Sequence, residues 1–137
     1  RTPNTANVVK DQAAETIIFT LESDKSYTFS DSPFVHVESI PEHVDFLDEV
    51  LTRLAKKGIM KVLVEGGSQV HSSFIQSRLA NELYLYMAPK LIGNGPSLFM
   101  DQNRSTIAES EPVHILDVKQ IGEDICLHAL FPNGGVS

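Results

Sequence analysis

The sequence contains very little cysteine. Cys126 is the only cysteine among its 137 residues, so an internal disulfide is excluded and a cytoplasmic location is expected. Because Cys126 lies in an apolar run, its thiol is interpreted as buried and inert. The five histidines show no spacing typical of metal ligands, so no metal site is predicted.

Long apolar runs and excess positive charge are also lacking. The sequence has no tract of about 18 apolar residues, so no membrane span is predicted. It also has no leader of basic residues followed by apolar ones, so export is not indicated. Lysine and arginine number 11 against 18 acidic residues, giving a net charge of -7. This balance argues against nucleic-acid binding, which requires a basic surface. It is compatible with a small phosphate ligand, which backbone amides and one or two cations can hold.

The first half of the chain predicts alternating strands and helices. Apolar runs at residues 16–21, 34–38 and 62–64 are typical of strands. Apolar residues at three- and four-residue spacing predict a helix that begins at Pro41 and closes at Lys57 and Gly58. A second helix is predicted after Gly67. This alternation is typical of parallel βαβ units.

The second half predicts antiparallel strands. Residues 82–92 indicate a long strand that contains Pro89, and residues 27–29 are a candidate for a short edge pairing. Residues 113–118 and 125–131, joined by a tight turn, predict a hairpin. The predicted fold is therefore α/β, with a mixed sheet that is parallel at first and ends in an antiparallel hairpin. A chain of this length forms one domain.

The strongest functional signal is Glu65-Gly66-Gly67, between the predicted strand and helix. Ligands bind at such junctions because the backbone N–H groups of a helix start are unpaired. Glycine allows a ligand to approach the backbone closely, and Ser68, Ser72 and Ser73 could donate to phosphate oxygens. The alternative is a plain turn with positive φ and a capping serine. The G-x-G-x-x-G and G-K-[ST] motifs are both missing.

Four further side chains are candidates for contacts. Glu65 follows the predicted strand and is interpreted as a hydrogen-bond acceptor for a ligand; the alternatives are a solvated carboxylate or a helix cap. His71 lies early in the predicted helix, where a ligand contact is plausible. Tyr84 and Tyr86 share one strand face, where they either stack on a flat ring or cover a core or an interface.

Five segments resemble one known family. Residues 62–67, 74–75, 79–83, 86–93 and 121–128 are similar to the reductase domain of bacterial bifunctional riboflavin biosynthesis proteins, within a resemblance that runs from about residue 16 to residue 130. It implies a dihydrofolate reductase-like fold and NADPH-dependent reduction of 5-amino-6-(5-phosphoribosylamino)uracil to its ribityl form. Arg1-Thr2-Pro3 resembles a loop well inside that domain. Residues 1–137 are therefore expected to be a partial reductase domain, without full activity alone.

The resemblance also implies specific site residues and partners. It assigns Glu65 to substrate and assigns NADPH binding to Gly66, Gly67, Ser68, Gln69, Val70, His71, Ser72 and Ser73. It implies no covalent catalysis, since hydride passes directly and the protein supplies orientation and electrostatics. The expected partners are a phosphoribosylaminopyrimidine, a second copy in a homodimer, and a fused zinc deaminase domain. Two alternatives remain: a related reductase of another pteridine or pyrimidine, and an inactive dimerisation fragment.

Overall fold

A computed structural model of the chain describes residues 3, 5–11, 13–24, 32–95, 97–100 and 106–132. The chain divides into two compact units, residues 1–62 and 63–137. The described residues form two sheets, one of two strands and one of three. The predicted edge pairing at residues 27–29 lies outside the described residues.

The first unit is built on two parallel strands. A one-turn helix, α1 (Asn7–Lys10), precedes β1 (Thr16–Leu21), which pairs in parallel with β2 (Val35–Ile40). Both strands are rich in β-branched and apolar residues, which suit a pleated, half-buried surface. Ile40, the last residue of β2, is fully buried. The strands predicted at residues 16–21 and 34–38 are confirmed.

The helix α2 (Phe46–Lys56) follows β2. Its N-cap is Asp45, whose side chain accepts a hydrogen bond from the Asp48 N–H at 3.0 Å. At the other end, Gly58 has a φ of 81°, which suits a glycine after a helix. The predicted start at Pro41 is wrong, because Asp45 supplies the cap and the preceding residues form a turn.

Charged side chains connect α2 to β2. Glu38 on β2 lies 2.8 Å from the Lys57 Nζ and 3.5 Å from the Arg53 guanidinium. Arg53 also pairs with Glu49 at 2.8 Å. The hydrogen bond from Lys57 lowers the pKa of Glu38, with help from Arg53 and against a smaller opposing effect of burial. The carboxylate of Glu38 is therefore favoured in the folded chain.

We expect Glu38→Gln to lower the free energy of unfolding at pH 7 by less than about 1 kcal/mol, because partly exposed ion pairs are weak. Since the folded-state pKa of Glu38 is lowered, its contribution to the free energy of unfolding is complete at pH values above the unfolded-state pKa. It is lost as the pH falls through the lowered folded-state pKa. Urea unfolding at pH 7 and at pH 3 measures this, with Glu123→Gln in an exposed turn as control. A Glu38→Gln effect equal at both pH values would contradict the ion-pair explanation.

The described residues of the second unit form one α-helix and an antiparallel sheet. In chain order its elements are α3 (Ser68–Gln76), β3 (Glu82–Met87), a 3-10 turn (Ile107–Glu109), β4 (His114–Ile121) and β5 (Asp124–Leu130). The strand order is β3-β5-β4, and both pairings are antiparallel. A tight turn joins β4 to β5, and its Gly122 has a φ of 62°. The predicted hairpin is confirmed.

One predicted strand is wrong, and another is confirmed only in its first six residues. Residues 61–67 form neither helix nor strand, and Leu63 is 79% exposed. A strand requires a neighbour to accept its backbone hydrogen bonds, and neither sheet formed by the described residues includes this stretch. The predicted strand at 82–92 ends at Met87, because Pro89 has no N–H to donate to a ladder.

The parallel strands of the first unit and the antiparallel sheet of the second confirm the predicted mixed α/β fold class. Within the described ranges, no helix has the length and apolar character needed to cross a membrane.

Candidate functional site

The predicted site residues lie together at the start of α3. Glu65, Gly66 and Gly67 directly precede the helix, and residues 68–73 form its first turns. Glu65 and both glycines are exposed to solvent. The predicted substrate and cofactor residues therefore lie on one contiguous stretch within the second unit, exposed at residues 65–67 and buried at Ser72.

The start of α3 has backbone donors that lack an acceptor within the helix. Gly67 is the N-cap residue, and the first helical bond runs from the His71 N–H to the Gly67 carbonyl at 3.2 Å. The N–H groups of residues 68–70 consequently have no acceptor within the helix. In the part of the chain that the structure describes, no side chain caps this helix end, and its first turn has no acidic residue, so Glu65 does not act as the cap. Such an end favours an anion.

The two glycines have different roles. A Cβ added at Gly66 would lie 2.9 Å from the Cβ of Val70, whereas a Cβ added at Gly67 would meet no atom of the described residues within 4 Å. Neither glycine has a positive φ, since the described glycines with positive φ are Gly58 and Gly122. The plain-turn explanation based on positive φ is therefore wrong. Gly66 is required by packing, and the backbone at Gly67 is open to an approaching ligand.

The hydroxyl of Ser72 has a structural partner. Ser72 is 5% exposed, and its Oγ accepts a hydrogen bond from the Met100 N–H at 2.7 Å. One residue earlier on the helix, the ring of His71 meets Phe99 edge-on, with centroids 6.3 Å apart. The segment 97–100 thus packs on α3, a contact that the sequence analysis missed because 28 residues separate Ser72 from Met100.

We expect Ser72→Ala to lower the free energy of unfolding by about 1 kcal/mol, because the Met100 N–H loses its acceptor. Amide exchange at Met100 should accelerate in the same variant. Ser73→Ala is the matched control, because the exposed Ser73 hydroxyl donates only to the carbonyl of Gln69 in its own helix, at 3.0 Å. Equal effects of the two substitutions would rule out a tertiary role for Ser72.

His71 retains unused hydrogen-bonding capacity. Its Nδ1 is buried and has no hydrogen-bond partner within the part of the chain that the structure describes. Buried polar atoms normally have a partner, so this nitrogen is consistent with either a water or a bound group at the helix. The contact with a ligand predicted for His71 stays a prediction.

A second group of polar side chains lies on one face of the three-stranded sheet. Glu82 accepts a hydrogen bond from the Tyr84 hydroxyl at 3.0 Å and lies 3.0 Å from the His128 Nε2. Tyr84 and His128 are opposite each other in the ladder, and their rings stack at 4.2 Å. The hydrogen bond to Glu82 raises the pKa of Tyr84.

Tyr86 and Cys126 extend this face along the strands. They are also cross-strand partners, and a hydrogen bond to Cys126 raises the pKa of Tyr86. Cys126 is free and buried, as predicted. Tyr84 and Tyr86 are both more than half exposed, so neither is a core residue of this unit. Among the described residues, no group of three or more His, Cys, Asp or Glu side chains forms a candidate metal site.

Comparison with known proteins identifies the family. The model of the RibD C-terminal domain matches residues 1–127. The chain belongs to this family. The riboflavin biosynthesis protein RibD of Bacillus amyloliquefaciens is 36% identical over 136 residues, covering 96% of this chain and 37% of that protein. RibD of Escherichia coli K12 is 33% identical over 92 residues, covering 65% and 25%.

Solved structures confirm the fold. Acinetobacter baumannii RibD, form 1, has a TM-score of 0.73 at 24% identity, and the likeness covers 95% of this chain and 34% of that chain. The Thermotoga maritima diaminohydroxyphosphoribosylaminopyrimidine deaminase/5-amino-6-(5-phosphoribosylamino)uracil reductase has a TM-score of 0.59 at 18% identity, covering 92% and 43%. The chain spans between about a third and somewhat under half of the length of these proteins.

Proposed function

We propose that this chain belongs to a riboflavin-pathway reductase that reduces 5-amino-6-(5-phosphoribosylamino)uracil to its ribityl form with NADPH. The observation that carries the proposal is the RibD C-terminal domain match over residues 1–127. It is supported by the Thermotoga maritima neighbour, whose name includes this reductase activity. The chain would supply only part of the reacting protein, since its relatives are much longer.

The start of α3 fits a cofactor phosphate. The backbone amides of residues 68–70 have no acceptor within the helix, and no acidic residue in the first turn opposes an anion. The space around Gly67 is open, so a ligand can reach these amides. We assign cofactor contact to the backbone from Gly66 to Ser73, with Ser72 positioning the helix through Met100.

The chemistry requires little from the side chains of this chain. NADPH supplies the hydride when it is bound. Glu65 is exposed at the edge of the cofactor stretch, where its carboxylate can accept hydrogen bonds from substrate hydroxyl or amino groups. The amides at the start of α3 hold an anionic group in a fixed place. Their joint effect is to orient the two reactants, which is the main contribution of a protein to direct hydride transfer.

The proposal extends to partners and location. The exposed pair Tyr84 and Tyr86 on β3 is suited to packing between two copies, because tyrosine is enriched at interfaces. The greater length of the relatives leaves room for a fused deaminase domain. A cytoplasmic location agrees with the single, buried free cysteine.

We expect Gly67→Asp, made in the natural polypeptide that contains these residues, to weaken NADPH binding at least tenfold, which corresponds to about 1.4 kcal/mol. A carboxylate beside the α3 amides repels a phosphate and competes for the same donors. Because aspartate is a favourable N-cap residue, the free energy of unfolding should not fall. NADPH titration by calorimetry and urea unfolding measure the two quantities.

Gly67→Asn is the matched control, since it adds nearly the same volume without the charge. Its NADPH affinity should lie much closer to that of the unmodified protein. Because salt screens charges, a higher salt concentration should reduce the difference in NADPH affinity between Gly67→Asp and Gly67→Asn. Unchanged affinity in Gly67→Asp would reject the role of α3 in cofactor binding. Turnover of a pteridine in preference to the pyrimidine would instead reject the proposed substrate.

A further inference from the structure

Residues 97–100 form a strap that is attached to α3 at two adjacent points. The backbone N–H of Met100 donates to the Ser72 Oγ at 2.7 Å, and Ser72 is 5% exposed. The ring of Phe99 meets the ring of His71 edge-on, with centroids 6.3 Å apart. Two successive residues of the strap therefore contact two successive residues of the helix, which fixes the register of the strap on α3.

The same two helix residues lie beside the proposed anion site. His71 and Ser72 directly follow the backbone amides of residues 68–70, which lack an acceptor within the helix. The His71 N–H donates to the Gly67 carbonyl at 3.2 Å, which is the first bond of the helix. A residue that contacts the strap thus also closes the turn that contains these amides. A displacement of His71 therefore changes the position of Gly67 and the direction of the amides.

The strap has little buried surface of its own. The side chains of Leu98 and Met100 are 42% and 48% exposed. Shortly before the strap, a Cβ added at Gly93 or Gly95 would meet no atom of the described residues within 4 Å. Segments with few buried contacts open more readily than the core of a protein. The position of the strap therefore depends strongly on its attachment to α3.

The attachment contains one unfavourable feature. The Nδ1 of His71 is buried and has no hydrogen-bond partner in the part of the chain that the structure describes. A buried polar atom without a partner has lost its hydrogen bonds to water and gained none in return. His71 consequently stabilises the docked strap less than a fully paired ring would, so a ligand that favours the same arrangement can strengthen it.

We propose that the strap positions the start of α3 for a phosphate of the cofactor, so that docking of the strap and binding of the phosphate favour each other. The docked strap holds His71, and with it Gly67, in the arrangement in which the amides of residues 68–70 bind the phosphate. Because coupling between two binding events is reciprocal, a bound phosphate strengthens the attachment of the strap. His71 and Ser72 are positioning residues in this arrangement. The inference rests on the proposed function of α3.

Amide exchange in the natural polypeptide that contains these residues tests the coupling. Saturating NADPH should slow exchange at the Met100 amide about tenfold more than at the Glu22 amide, which is bonded to the Ile40 carbonyl in the first unit. Ser72→Ala should abolish this excess slowing and weaken NADPH binding by up to about tenfold, the same coupling factor. Leu98→Ala is the control, because it truncates a partly exposed side chain of the same strap. It should leave both measurements unchanged.

His71→Phe distinguishes positioning from direct contact. It keeps an aromatic ring against Phe99 and removes the unpartnered nitrogen, so the NADPH affinity and the excess slowing at Met100 should both be retained. Loss of NADPH affinity while the Met100 amide stays protected would overturn the positioning role, because the nitrogen would then contact the ligand itself. Equal slowing at Met100 and Glu22 in the unmodified protein would overturn the coupling, because it indicates general stabilisation only.

Inorganic pyrophosphate distinguishes this inference from the proposed function. If NADPH does not bind, the cofactor assignment fails, and pyrophosphate replaces NADPH in the same measurements. Excess slowing at Met100 with pyrophosphate supports the coupling and rejects only the cofactor, whereas no excess slowing with either anion rejects the coupling. If Ser72→Ala fails to fold, Phe99→Leu takes its place, because it removes the ring contact and leaves the hydrogen bond to Ser72.

Discussion

Ile40→Ala should lower the free energy of unfolding by about 2–5 kcal/mol, the range for removing a buried isoleucine side chain. Ile40 is the largest fully buried side chain among the described residues. It ends β2 and is opposite Leu21 in the parallel pair, and its carbonyl accepts the Glu22 N–H at 3.0 Å. Because the backbone around it is fixed by these bonds, the cavity left by alanine cannot easily collapse. Urea unfolding at constant pH measures the loss.

Ile107→Ala is the matched control for this prediction. It removes the same atoms from a side chain that is 92% exposed in the 3-10 turn, so the expected change lies within about 0.5 kcal/mol. Both variants lose the same atoms, so the difference between their free energies of unfolding measures the effect of burial alone. Similar changes in both would show that Ile40 is not buried in solution.

The strands that could be predicted are those that have both an apolar pattern and a ladder partner among the described residues. β1, β2 and β5 follow runs of β-branched or apolar residues and lie within a residue or two of their predicted bounds. The hairpin was predictable because its turn is local, with Gly122 at a positive φ. In each case a short stretch of sequence contains the physical cause of the structure.

Residues 62–64 and 88–92 show what an apolar pattern leaves undetermined. The pattern indicates that these residues avoid water, but a strand also needs a neighbour for its backbone groups. Neither stretch has such a neighbour in the sheets that the described residues form, and Leu63 and Leu91 are largely exposed. Similarly, no local signal indicates that Ser72 accepts from Met100 or that Tyr84 stacks on His128.

The position of the candidate site stays a prediction, and its residues, Glu65 to Ser73, adjoin one another in the structure because they are contiguous in the sequence. The sequence did not indicate that these residues have different surroundings. The two glycines look equivalent in the sequence, but the structure distinguishes them. Packing against Val70 constrains Gly66, whereas a Cβ at Gly67 would meet no atom of the described residues within 4 Å. A variant of Gly66 therefore reports on folding, and a variant of Gly67 reports on the ligand.

Gly66→Ala should lower the free energy of unfolding by about 1–3 kcal/mol, the usual cost of overpacking. The new methyl group would lie 2.9 Å from the Val70 Cβ and 3.1 Å from each of its two Cγ atoms. The Cβ position is set by the helix backbone, so rotation of the valine side chain cannot relieve the shortest contact. The start of α3 must shift instead, and NADPH affinity should fall together with stability.

Double variants identify the atom responsible. Val70→Ala keeps the Cβ, so it should restore little of the free energy of unfolding that Gly66→Ala removes. Val70→Gly removes the Cβ and should restore most of that free energy. Glycine inside a helix itself costs about 1 kcal/mol, which reduces the recovery by that amount. Gly67→Ser serves as the control at the neighbouring position, because serine is a favoured N-cap residue and has open space there. Additive effects in the Gly66→Ala and Val70→Gly pair would contradict the contact, because two residues that touch must show coupling when one contact partner is removed.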